Sequence, residues 1–88
     1  MRERLAEAFN EDMKFLEQTE YDAAIEGVLE RFGQPPIACY DRNKIIEIIS
    51  KRDNISMEEA EEFFEFNIIG AWDGDNTPSF ITKKESVL

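Results

Sequence analysis

Apolar residues in this chain recur at steps of three and four over most of its length, the spacing that gathers side chains on one face of a helix. Four such stripes follow one another. Leu5, Ala8, Phe9, Met13 and Leu16, with Asp12 as the one polar member, predict a helix over 2–18. Tyr21, Ala24, Ile25, Val28, Leu29 and Phe32 predict a second over 20–32, with Thr19 and Asp22 in capping-box positions and Gly33 as its stop. Gly27 inside that helix costs roughly 1 kcal/mol relative to Ala, so it is either an exposed defect or a point of close backbone approach. Asp41 caps a third helix over 42–52, buried through Ile45, Ile46, Ile48 and Ile49. The fourth opens on a capping box at Ser56 and Glu59 and runs over 57–69. Met57, Ala60, Phe63, Phe64, Asn67, Ile68 and Ala71 share its apolar arc, and Glu58, Glu61, Glu62 and Glu65 share another.

Turn formers separate these segments: Gln34-Pro35-Pro36, Asp53-Asn54, and the run from Asp73 to Pro78. The short β-branched stretch over 37–40 reads as a strand that pairs with a second over 79–82. In the alternative, 67–72 and 79–82 form a hairpin across Asp73-Gly74. The expected fold is therefore mainly α (α+β), a compact four-helix domain with a small two-stranded β element. Its order is helix, helix, strand, helix, helix, strand. The N-terminal helix either packs on this domain or projects as an arm, and 83–88 forms a frayed tail.

At 88 residues there is room for one domain with a core that is marginal but feasible without disulfides. No apolar run reaches the ~20 residues that cross a bilayer, and the first residues have no signal-peptide core, so no membrane association and a cytoplasmic location are expected. Cys39, the single cysteine, sits in an apolar stretch and is read as a small buried hydrophobe.

The functional consequences come from charge and from missing residue types. Ten basic residues face twenty acidic ones, a net charge of −10. Direct contact with nucleic-acid phosphates is disfavoured. Such a surface serves solubility, or complements a basic partner. Without histidine the usual general base, metal ligand and triad member is missing, and one cysteine leaves metal ligation to carboxylates. No glycine-rich phosphate loop occurs. Asp73, Asp75, Thr77 and Ser79 alternate as in the start of a calcium loop. The sixth position is Pro78 instead of Gly and the twelfth is Lys84 instead of Glu, so the match fails. No enzyme activity, cofactor or metal is expected.

Three features stand outside a purely structural account. Asn67 falls in the apolar arc, where its amide either bonds the 72–78 loop or lines a binding surface. Phe66 projects off that arc, and Trp72 stands at the edge of the acidic loop. The two aromatics either form a recognition patch or cover a second core face against the N-terminal helix. The candidate interaction surface is Phe66, Asn67, Trp72, Asp73 and Asp75 with Glu58, Glu62 and Glu65.

The stretch from Met57-Glu58-Glu59-Ala60 through Phe63-Phe64-Glu65-Phe66-Asn67-Ile68-Ile69-Gly70-Ala71-Trp72, continued by Gly74-Asp75-Asn76-Thr77-Pro78, resembles a group of small proteins of tailed bacteriophages and prophages. Arg31-Phe32-Gly33-Gln34-Pro35 and Tyr40-Asp41 belong to the same resemblance. It covers 21–81 and carries no functional residues onto this chain. It implies expression inside an infected bacterium. The expected function is binding, and in a sharper form inhibition, of a host protein that is basic or itself binds nucleic acid. The alternatives are a self-associating assembly component (a homo-oligomer) and a small-ligand or carboxylate metal protein.

Overall fold

The computed structural model describes residues 2–71 and 74–86. Helix α1 (Arg2–Phe9) leads through an irregular segment and a 3-10 helix (Thr19–Ala24) into strand β1 (Ile25–Leu29). A hairpin returns as β2 (Ile37–Asp41), followed directly by α2 (Arg42–Asp53) and α3 (Met57–Asn67), a 3-10 turn (Ile69–Ala71) and β3 (Ser79–Ile81). The sheet has three strands in the order β1-β2-β3, with β1 antiparallel and β3 parallel to the central β2.

The two central helices form where the sequence places them. Asp41 accepts the Lys44 amide hydrogen bond at the start of α2, and Asn54 closes it in the left-handed conformation at φ 54°. The Ser56–Glu59 capping box is complete in both directions. Replacing Ser56 by Ala is expected to lower stability by about 1 kcal/mol, read as a shift in the urea midpoint at constant slope.

The parallel pairing of β2 with β3 requires a crossover, and α2 and α3 supply it. They cover one face of the sheet. Ile45, Ile46, Ile49, Ala60, Phe64 and Ile68 meet Ala38 and Tyr40 of β2 in one core, with Phe80 of β3 packed against it. Phe64 presents a T-shaped contact to Phe80, with centroids 5.0 Å apart.

The first third of the chain departs from expectation. The N-terminal helix stops at Phe9 instead of reaching residue 18. Asn10 ends it: its side-chain oxygen accepts from the Asp12 amide at 3.0 Å, and its amide group donates to Pro36 O and Asn76 Oδ1 at 3.0 and 2.8 Å. Met13 and Leu16 still enter the core, from the irregular segment that follows α1. The Leu16 amide donates to the Tyr40 hydroxyl and its carbonyl accepts from Arg2, each within hydrogen-bond distance. Arg2 also pairs with Asp22, so α1 is docked on the domain and is not a free arm.

The expected second helix over 20–32 is a 3-10 helix followed by β1, so the two-stranded element becomes three-stranded and the order changes accordingly. Among the described residues there are three α-helices, α1, α2 and α3, and the 3-10 helix of residues 19–24 stands where the fourth was expected. Gln18, not Thr19, occupies the N-cap, and it makes no side-chain cap bond. The cause of the misreading is a β-bulge. Ile25 opposes Tyr40 and Val28 opposes Ala38, with the register broken between Ile25 and Gly27. The inserted residue lets two side chains three positions apart face the same core, which imitates helical spacing in a strand. Gly27 sits at φ 154°, a conformation that side chains rarely adopt, so its role is the bulge.

The predicted pairing of the 37–40 and 79–82 stretches is realised in β2 and β3, and among the described residues the alternative hairpin is absent: 69–71 form a 3-10 turn and β3 pairs with β2. In the C-terminal tail, residues 84–86 form a 3-10 turn.

Candidate interaction surface

The capping box fixes where α3 begins and so the phase of every side chain on it. Ala60, Phe64 and Ile68 point into the core. The opposite face carries Glu58, Glu62, Glu65 and Phe66, all exposed. Glu58, Glu62 and Phe66 follow one another at four-residue steps, one stripe along the helix. Phe66 is 81% exposed, which rules out the reading in which it covers a second core face. Ile69, just beyond the helix, is exposed as well.

Asn67 is not buried. It is exposed and its amide donates to the Phe63 carbonyl one turn back, at 3.2 Å, so it is a helix-end residue, and among the described residues it makes no bond to the following loop. Asp75 is exposed on the turn beyond α3. Thr77 donates from its hydroxyl to the Gly74 carbonyl, and Asn76 is bonded to Asn10 and Lys14, which joins this turn to the 10–14 segment. Trp72 and Asp73 lie outside the described residues. Among the described residues no three metal-donor side chains come together.

Three arginines show how this protein handles its carboxylates. Arg42 reaches from α2 over the Phe64 ring, 5.2 Å from its centroid, and pairs with Glu61 at 3.1 Å and Glu65 at 3.5 Å. Arg52 lies over Phe63 and Tyr21, donates to the Tyr21 hydroxyl, and pairs with Asp53 and Glu20. Those contacts, Asp53 first, hold its guanidinium pKa above the ordinary value. Arg2 lies over Phe15 and pairs with Asp22. In each case a guanidinium stacks on an aromatic ring and bonds a carboxylate beside it. Lys83 bridges Glu26 and Asp41 in the same structural capacity, without a ring.

Two further surfaces were not legible in the sequence. Phe32, whose spacing predicts the last member of a helical stripe, stands fully exposed on the β1–β2 connection, 105% by relative area. The signal available was the Gly33 and double-proline punctuation immediately after it. The face of the sheet away from the helices holds Leu29 and Ile81, both exposed, and a shallow cavity of about 250 Å³. Cys39 lines it and is half-buried, so the expectation of a buried cysteine is corrected: position 39 alternates to the outer face while Ala38 and Tyr40 face the core.

Searches of the chain against known protein families, curated proteins and solved structures give no match. No helix among the described residues is long and apolar enough to cross a membrane.

Proposed function

We propose that this chain is a non-enzymatic interaction protein that binds a basic protein through the outer face of α3. The bacteriophage resemblance supports reading its setting as the cytosol of an infected bacterium, and the negative charge supports a basic host protein as its partner. The observation that carries the reading is Phe66, exposed to 81% in a stripe with Glu58 and Glu62. An aromatic anchor ringed by charge is the composition of a binding hot spot, and the negative field of the whole chain steers basic partners toward it. In its sharper form the protein inhibits a nucleic-acid-binding host factor by placing carboxylates where phosphates bind.

The test is capture from bacterial lysate with the tagged protein, its Phe66→Ala variant and a Glu58→Gln/Glu62→Gln variant, at low and moderate salt. A stoichiometric basic partner is expected on the wild type at low salt, reduced by each variant and released as salt rises. Retention of the same proteins by all three chains defeats the α3 reading. Retention by the wild type that ignores salt removes the charge-mimic form alone.

A second reading, self-association as an assembly component, is favoured by Leu29 and Ile81 on the uncovered sheet face. A strictly monomeric mass at high micromolar concentration excludes it.

A further inference from the structure

Arg42 and Phe66 show two halves of one arrangement on a single helix. On one side of α3, Phe64 is flanked by Glu61 and Glu65, and the Arg42 guanidinium completes the set by stacking on the ring while bonding both carboxylates. The same construction recurs at Phe15 with Asp22 and at Phe63 and Tyr21 with Glu20 and Asp53. On the other side of α3, Phe66 has Glu62 one turn before it and Glu58 a turn earlier. Among the described residues no cation stacks on Phe66, and none pairs with Glu58 or Glu62. A ring exposed to 81% with carboxylates on its own helical stripe is therefore, among the described residues, a member of the series that lacks its guanidinium.

We infer that the partner supplies it: the group recognised at the outer face of α3 is an arginine of a basic protein segment, its guanidinium stacked on Phe66 and bonded to Glu62, with Glu58 reached by a neighbouring basic residue. This rests on the reading of α3 as the docking surface and adds the identity of the recognised side chain. The chemistry selects arginine over lysine. A planar guanidinium stacks on a ring and presents a donor edge to a carboxylate at once, whereas an ammonium is a compact, strongly hydrated point charge. Charge alone, by contrast, attracts both equally.

That difference is what the experiment reads. Oligoarginine and oligolysine peptides of equal length are titrated into the intact protein at moderate salt, with affinity followed by calorimetry. The arginine peptide is expected to bind roughly fivefold more tightly. Phe66→Leu keeps apolar area and removes the ring; it is expected to abolish the preference, bringing oligoarginine affinity down to that of oligolysine on the same variant. Because Phe66 is exposed, the variant folds as the wild type does, which its melting curve verifies. Phe32→Leu, the same change at another exposed ring, is expected to keep the preference. Equal affinity for both peptides, or a preference that survives Phe66→Leu or is lost in Phe32→Leu, overturns the inference. The two levels fail separately. If the peptides show no preference but a captured partner still depends on Phe66, the arginine assignment falls and the docking face stands. Capture indifferent to Phe66 removes both.

Discussion

Phe64→Ala is expected to remove about 3–5 kcal/mol of stability, the cost of deleting a fully buried ring and leaving a cavity. A domain of this size has about 5–15 kcal/mol in all, so the loss is about a third or more of the total for a domain in the lower half of that range. The magnitude follows from position. Phe64 has no exposed surface, meets the edge of Phe80 at 5.0 Å, and receives Arg42 over its ring at 5.2 Å. It therefore joins α3 to β3 and to α2, and its loss loosens three elements together. Urea unfolding followed by circular dichroism measures it. Phe66→Ala, two residues along the same helix, is expected to change stability by no more than about 0.5 kcal/mol, because an exposed ring leaves no cavity. A loss below about 1 kcal/mol for Phe64→Ala would contradict its placement at the junction of these elements.

That contrast also shows which parts of the candidate surface were legible in the sequence. Once the capping box sets the start of α3, the facing of Phe64 and Phe66 follows from helical phase alone, and so does the outward aim of Glu58, Glu62 and Glu65. Phase is a local property, and local properties are written in the sequence. Asn67 shares the phase of the apolar arc yet is exposed, for an equally physical reason. It lies at the helix end, where the last turn can bond its own backbone instead of packing. Phe32 was misplaced because its exposure depends on β1 being a strand, which is decided by pairing with β2. The apolar spacing at Ile25 and Val28 fits a helix and a bulged strand alike. Only Gly27, with a conformation that costs little for glycine alone, marks the difference.

The segment after α1 holds the same lesson and gives the second large prediction. Met13 and Leu16 lie at helical spacing, yet this stretch is irregular and is held by side chains from elsewhere in the chain. The Leu16 amide donates to the Tyr40 hydroxyl at 3.0 Å in a buried site, and the Leu16 carbonyl accepts from Arg2 at 2.9 Å. No periodicity encodes such a tether, because its partner is 24 residues away. Tyr40→Phe keeps the ring in the core and removes only the acceptor. The Leu16 amide is then buried without a partner, at an expected cost of about 1–3 kcal/mol. Hydrogen exchange locates the effect: Leu16 loses protection while the α2 amides keep theirs up to the lowered global stability. The same hydroxyl gives an alkaline signature. Burial holds both Tyr40 and Tyr21 above the ordinary tyrosine value of about 10. Their contribution is thus complete below that pH. It is lost as pH rises further, because the unfolded chain ionises first and the folded one only at higher pH. Tyr40→Phe removes one of the two groups, so the variant is less stable at neutral pH yet loses less between neutral and strongly alkaline conditions than the wild type. Equal stability at neutral pH together with a protected Leu16 amide would mean that the segment is anchored without the Tyr40 hydroxyl, by apolar burial and the Arg2 bond.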